Sequence, residues 1–343
     1  MKFIFSQFSA FSFFLILIIL IPFQSFAQNS ILFGDEDPLE VRIFTNLDEL
    51  LKGKNEDSKK QKAEFQYKNK DGKWVTLPVT LKLRGNFRKK NCDFPPIQVN
   101  FSNSGKKGHL FVGQKKMKMV TTCTEKEFLL KEFLVYKSYN LITDYSFRVR
   151  LLKVKFKNSG KNQKNVSGYA FLIEDIDEVA RRCNAKEFET EKDQVKPQKT
   201  DFYNNLFMFH FMVGNSDFLF SSSHNMKTIK LNDSKEKLFI PYDFDWCGFV
   251  DPAYKNRIQG GLLDIDLKTR SFRGYCMKED ELNMVFNNFR KLKPSFLKLY
   301  NDFAYLNKKG KEEIISYVME FYDFMDNPKE VETWMKAYCE VEE

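Results

Sequence analysis

Between residues 184 and 200 the periodicity of this chain changes, and that change limits the folds open to it more than any other feature. Before it, LEVRIF, AEFQYK, WVTLPVTLKLRG and PPIQVNF alternate apolar and polar side chains with period two, the pattern of strands with one buried face. After it, TDFYNNLFMFHFMVGN carries apolar side chains on nearly every side, as a helix buried among others does. From Glu279 onward amphipathic helical patterns continue to the end. The segment between is polar and contains Pro197, which marks a connection or a lobe boundary. The predicted class is α+β, with a β-rich N-terminal lobe holding one main helix over 28–174 and a mainly helical C-terminal lobe over 175–343. The 37 Phe and the 16% aromatic content supply apolar mass for a sizeable core.

Local signals refine this outline. Asp71-Gly72 reads as a hairpin turn, Asn46 precedes a short helix in NLDELL, and the charged segment 53–62 reads as an exposed loop. KMKMVTT, 116–122, is a strand that leads into a helix over 125–141, with Phe128, Leu129, Phe133, Val135 and Tyr136 as its apolar stripe. Thr124 is the expected N-cap of that helix and Glu127 its capping-box acid. SFRVRLLKVKF and SGYAFLIED follow as two strands around a polar loop over 157–165. In the second half NMKTIKL and KLFIPYD form strands joined at Asn232-Asp233, and Asn327 with Pro328 announces the last helix.

The N-terminus fixes a compartment. Lys2, the apolar run over 11–23 and the small residues Ser25 and Ala27 form a signal-peptide pattern over 1–27, with cleavage expected after Ala27. The run is shorter than the about 20 residues a spanning helix needs, and no later segment approaches that length. The first cysteine is Cys92, so a lipid anchor at the leader is not expected. The mature chain is therefore expected to be exported, periplasmic or extracellular, without a stable membrane span.

Six cysteines in an exported chain permit up to three disulfides. Cys92 with Cys123 and Cys247 with Cys276 are the expected pairs. His109, His210 and His224 are scattered and no C-x-x-C occurs, which argues against zinc. The net charge of +9 favours acidic partners such as phosphate groups or anionic envelope polymers, but the lysines are dispersed and no nucleic-acid-binding motif is present.

The chemistry concentrates in 214–245: GNSD, then HN, then PYDFD. Asp217, Asn225, Asp243 and Asp245 fall on loops flanking a hairpin, a spacing that gathers oxygen ligands around a hard cation such as Mg²⁺ or Mn²⁺. Kinase-like folds build phosphoryl transfer from the same parts. A G-x-S-x-G nucleophile elbow is missing, and Ser221 to Ser223 read as a polar loop. Paired carboxylates also serve glycoside hydrolysis, but that chemistry does not demand the intervening Asn.

LRGN, KMKMVTTCTEKEFLLKEF, GYAFLIED and GNSD…HN…PYDFDW, in that order, resemble the spore-coat protein H (CotH) kinase family over most of 80–250, with a weaker echo in TRSFRGYC. The order GNSD…HN…D is more distantly similar to HipA-type kinases. The resemblance implies a bilobal, atypical protein-kinase-like fold that transfers a phosphoryl group from a metal-bound nucleotide, ATP being the expected donor, to a hydroxyl on a protein or envelope acceptor. It implies that Asp217 is the catalytic-loop acid and that Asn225 and Asp243 hold metal, with Asp245 where a DFG-like element has Gly. Asn225 lies eight residues after Asp217, a longer interval than the usual kinase loop. Lys118 and Glu132 are spaced as the Lys–Glu pair of kinases, with Lys116 and Glu127 as rivals. Arg84, Gly85 and Asn86 correspond to a turn over the phosphates, and Glu174 to the hinge that meets the base. The alternative is a non-catalytic envelope binding module that keeps the fold without turnover.

Overall fold

Period-two alternation in the first half builds a closed barrel. In the computed structural model, which describes residues 31–54, 58–102, 108–189, 196–255 and 266–339, seven strands form it: β1 (Leu39–Thr45), β2 (Gln61–Lys68), β3 (Trp74–Leu83), β4 (Ile97–Phe101), β5 (Lys116–Thr121), β6 (Val149–Asn158) and β7 (Val166–Ile173). Their order is β1-β2-β3-β4-β5-β7-β6, and a parallel β1–β6 pairing closes the ring. Inward residues such as Val41, Ile43, Phe65, Leu81, Val99, Met119 and Leu152 fill its interior. Pro78 sits in the middle of β3 without breaking it, because the pairing with β4 begins only at Val79 and Pro78 is exposed. The leader and its cleavage position lie outside the described residues.

Turn chemistry follows the sequence. Gly72 takes φ +76° and donates its N–H to Asn69 O at 3.0 Å, closing the β2–β3 hairpin. Helix α1 (Leu47–Lys52) is capped by Asn46, whose side chain accepts from Glu49 N. A five-residue helix, α2 (Phe87–Asn91), directly follows the turn expected at Arg84 to Asn86.

The main helix of the first half, α3 (Lys126–Ile142), is buried on nearly all sides, between β6 and β7 on one side and helices of the second half on the other. Its expected cap is not formed. Glu125 occupies the N-cap without a side-chain bond, and the Thr124 hydroxyl is buried without a hydrogen-bond partner among the described residues. Glu127 turns away to Lys131, one helical turn on, at 3.6 Å and accepts from Asn307 Nδ2 at 3.1 Å, so these two partners outcompete the capping box.

After α4 (Ile176–Arg182) comes a three-stranded antiparallel sheet, β8 (Ala185–Glu187), β9 (Met226–Leu231) and β10 (Lys237–Pro241), in the order β10-β9-β8. Helix α5 (Asp201–Val213) is apolar all round and buried accordingly. It ends at Gly214, whose φ of +64° disfavours any other residue and where a Cβ would collide with the Tyr317 hydroxyl. Helices α6 (Glu279–Asp302), α7 (Lys308–Met325) and α8 (Pro328–Cys339) complete the mixed α+β architecture. Asn327 accepts from Glu330 N at the start of α8.

Cys92 and Cys123 form a disulfide that ties the end of α2 to the end of β5. Cys276 pairs with Cys339 and not with Cys247. Cys247 is fully buried as a free thiol, held in a β-bridge with Asn215, while α8 brings Cys339 to Cys276. Among the described residues no helix is long and apolar enough to cross a membrane. The second disulfide closes a long loop and anchors a helix with no fully buried residue. Replacing Cys276 and Cys339 together by Ser is expected to lower the unfolding free energy by about 2–4 kcal/mol in urea titrations.

Candidate functional site

The loop after α5 is built from the core outward. Asn215 Oδ1 accepts from Asp217 N at 3.0 Å, which orients its amide so that Nδ2 faces His210 Nδ1, also at 3.0 Å. The ring must accept there, so its proton lies on Nε2, which is buried without a partner among the described residues. Burial pushes His210 down to about 3 and keeps it neutral. Its ring stacks on Phe218 at 4.1 Å.

Asp217 and Asn225 are in contact despite their long interval. Leu219 and His224 exchange backbone hydrogen bonds and fold the intervening residues into a small loop. Asn225 Nδ2 donates to Asp217 Oδ2 at 2.9 Å and to Asp217 O at 2.8 Å, and His224 Nε2 lies 3.0 Å from Asp217 Oδ1. Asn225 takes φ +55°, a conformation Asn tolerates, and its carbonyl accepts from Tyr242 N at 3.0 Å, which ties this loop to the end of β10. A cleft of about 490 Å³ opens at Asp217, walled by Phe87, Leu219 and Trp246 with Arg273 at its edge.

The two acids after β10 meet a residue the sequence did not single out. Asp243, at φ +63°, donates its backbone N–H to Tyr136 Oη at 2.8 Å. Arg88 of α2 donates to Asp243 Oδ1 and, at 2.9 Å, to Glu132 Oε2, while its Nε lies 3.3 Å from Asp245 Oδ2. Tyr254 Oη donates to the same Asp245 oxygen at 2.7 Å. Oxygens of Glu132, Asp243 and Asp245 all lie within 4.8 Å of one another. Glu132 Oε1 is buried with no hydrogen-bond partner among the described residues.

One guanidinium faces three carboxylates, so the cluster carries surplus negative charge. Burial disfavours charge on Arg88, but Asp245, Glu132 and Asp243 hold it protonated well above its ordinary range. Burial, against the pull of Arg88, raises Glu132 to about 8, with Asp245 and Asp243 adding to the rise. Burial likewise lifts Asp245 to about 6, Arg88 opposing and Asp243 adding. Asp243 stays below the ordinary carboxylate value: burial works against its charge, yet Arg88, Arg84 and Lys118 outweigh it.

On the other flank of Asp243 the charges are positive. Lys118 Nζ lies over the Tyr242 ring, 3.3 Å from its centroid. Desolvation, then Arg84 and Lys227, pushes it well below the ordinary lysine value, with Asp243 and Glu187 opposing. Lys118 is therefore not the partner of Glu132 in this structure; Arg88 is. Of the rivals, Lys116 is exposed, with its N–H donating to Asp175 Oδ2, and Glu127 is engaged as described. Arg84 donates its N–H to Pro96 O at 2.9 Å, Gly85 takes φ +84°, and Asn86 begins α2 without a side-chain cap bond. Glu174 stands apart from these groups. Its carboxylate accepts from Arg182 at 3.1 Å and from Arg148 N at 3.0 Å, and its own N–H donates to Arg148 O.

Arg88 lies in the basic run FRKKN, where the two lysines directly after it suggest a solvated face. Only the fold turns that arginine inward, to 7% exposure.

No family model and no curated protein matches the chain. Among solved structures, a Helicobacter pylori proinflammatory kinase, CtkA, superposes with a TM-score of 0.36 and 10% sequence identity, over 68% of this chain and 92% of that one. A superposition that loose leaves function to be read from the site itself.

The neutral state of His210 has a measurable sign. An unfolded histidine takes its proton near 6.5 and the buried ring only near about 3, so the unfolded chain binds more protons between those values. Stability therefore rises with pH across that window and is lost as pH falls through it, by up to about 1.4 kcal/mol per pH unit. Urea unfolding between about pH 4 and 6 is expected to show a shallower pH dependence for His210→Phe than for the wild type. Equal slopes would show that the ring is not held neutral in the fold.

Proposed function

We propose that this protein is an exported, metal-dependent phosphoryltransferase of kinase-like type. It would pass the terminal phosphoryl group of a nucleoside triphosphate, ATP being the expected donor, to a hydroxyl of a protein or envelope acceptor. The observation that carries the reading is the position of Asp243 between opposite charges. Lys118, over the neighbouring Tyr242 ring, and Arg84 bring positive charge to it, and Glu132 and Asp245 hold oxygens within 4.8 Å of its own. A phosphate chain chelated to a divalent cation presents the two complementary charges such a site lacks. The two disulfides support export, since such bonds persist in oxidising compartments.

The donor set fits a hard cation. Asp243 and Asp245 offer carboxylate oxygens, and Asn225 has its amide nitrogen spent on Asp217 and its Oδ1 left to coordinate. Bound there, Mg²⁺ or Mn²⁺ would neutralise phosphate charge as it develops. Arg84 and Lys118 would hold phosphate oxygens, Gly85 allowing close approach of the backbone.

Asp217 performs the acid–base step. Its carboxylate is held by Asn225 and His224 at the mouth of the cleft. An acceptor hydroxyl seated there gives its proton to Asp217 as its oxygen bonds to the terminal phosphorus. The bond from that phosphorus to the bridging oxygen breaks, and the nucleoside diphosphate leaves with the electron pair. The second reading, a binding module without turnover, draws on Arg88, which already engages the acids a metal would use.

Thermal unfolding with nucleoside triphosphate, with and without Mg²⁺ or Mn²⁺, tests the reading, because a ligand of the folded state raises its stability. A metal-dependent rise is expected, and no rise with any nucleotide overturns the proposal. Asp217→Asn is expected to keep that rise while losing about 10²-fold or more in transfer rate. Asp243→Asn is expected to lose the metal-dependent part of the rise. Full turnover by Asp217→Asn would remove that residue from the mechanism.

A further inference from the structure

We propose that Arg88 is an internal counter-ion that competes with the divalent cation for Asp243 and Asp245, so that metal entry transfers Arg88 wholly to Glu132. This rests on the metal-dependent reading above and goes beyond it by assigning a function to a residue outside the nucleotide and metal sets.

Arg88 spans all three acids at once, through NH1 to Glu132, NH2 to Asp243 and Nε to Asp245. Those acids are close enough together to share one ion, so a guanidinium and a divalent cation cannot both sit centrally without strong repulsion in a buried site. Three carboxyl groups share one guanidinium, and Glu132 keeps one buried oxygen without a partner among the described residues. The arginine therefore holds the acids in place without satisfying them, which leaves a driving force for a doubly charged competitor.

The exchange has a defined direction. Glu132 is on α3, deep in the core at 2% exposure, and its Oε1 can receive a second guanidinium bond once the other two acids are taken. Asp243 is the most accessible of the three acids, so a cation entering from solvent meets it first. Helix α2 itself is fixed by the Cys92–Cys123 bond and by Phe87, which packs edge-on to Trp246 at 5.5 Å and against Tyr254. The guanidinium thus moves on a stationary helix, and Trp246, which follows Asp245 directly, reports the change.

The test uses the mature protein and Mn²⁺ alone, without nucleotide, and measures affinity by calorimetry or by the electron paramagnetic signal of free Mn²⁺, with Trp246 emission in parallel. Arg88→Met is expected to unfold at lower temperature than the wild type in the absence of metal. It is expected to bind Mn²⁺ about tenfold or more tightly, since the competing charge is gone, and to be stabilised by Mn²⁺ more than the wild type is. Arg88→Lys, which keeps a charge without the fork, is expected to lie between them. Should Arg88→Met fail to fold without metal, Arg88→Met/Glu132→Gln, with one buried charge fewer, provides the same comparison. Wild-type binding with equal or weaker binding by the Arg88 variants overturns the competition and leaves the metal-dependent reading standing. Absence of Mn²⁺ binding in every form overturns both.

Discussion

The ionic contacts of Arg88 join three pieces of chain that are far apart in sequence, alongside the Tyr136–Asp243 hydrogen bond. Its partners lie 44 and 155 residues away in sequence, on α3 and after β10. Moving a guanidinium and three carboxylates out of water costs more than a well-packed apolar cluster of the same volume would, so stability alone does not account for the arrangement. What it does supply is register. α2, α3 and the segment after β10 can meet in only one way if the fork of Arg88 is to reach all three acids. The disulfide at Cys92 and the aromatic group of Phe87, Trp246 and Tyr254 aim that fork by fixing the short helix that carries it.

Charges of both signs crowd Asp243. Arg84 and Lys118 favour its ionised form, Lys227 acts on Lys118 and is partly spent on Glu187 at 2.8 Å, and Glu132 and Asp245 hold oxygens within 4.8 Å of its own. Like charges add to the depression of Lys118 and to the rise of Glu132 and Asp245, on which Arg88 acts in the opposite sense. Such frustration is a local cost that packing alone does not require. The left-handed backbone at Asp243 adds to that cost.

Much of the frame was legible because its signals are local. The alternation in β1 to β4, the caps at Asn46 and Asn327, the turn at Gly72 and the all-round apolar α5 each follow from a few neighbouring residues. The contact between Asp217 and Asn225 was legible as well, since a short loop joins them. The parallel closure of the barrel by β1 and β6 leaves no local trace, as it pairs segments a hundred residues apart. The Cys276–Cys339 pairing depends on where α8 docks, and a buried arginine in FRKKN looks like any other basic residue. Thr124 failed as a cap for a related reason: a sequence shows which bonds are available nearby, and not the distant partners, such as Asn307, that take the acid first.

The placement of Asp217 shows how a core sets the geometry of a surface acid. Its backbone N–H is taken by Asn215, one carboxylate oxygen by Asn225 and the other by His224, so the group is held in one orientation. Asn215 is itself fixed from beneath by a neutral His210, whose ring accepts one bond at Nδ1 and packs against Phe218. A charged imidazole at that position would have to donate from Nδ1 to an amide that is already a donor, turning a bond into a clash. The low proton affinity of His210 is therefore part of how the loop stays in place. Gly214 completes the arrangement from the chain side, since only a residue free to adopt the left-handed turn lets α5 end where Asn215 can reach back to that ring.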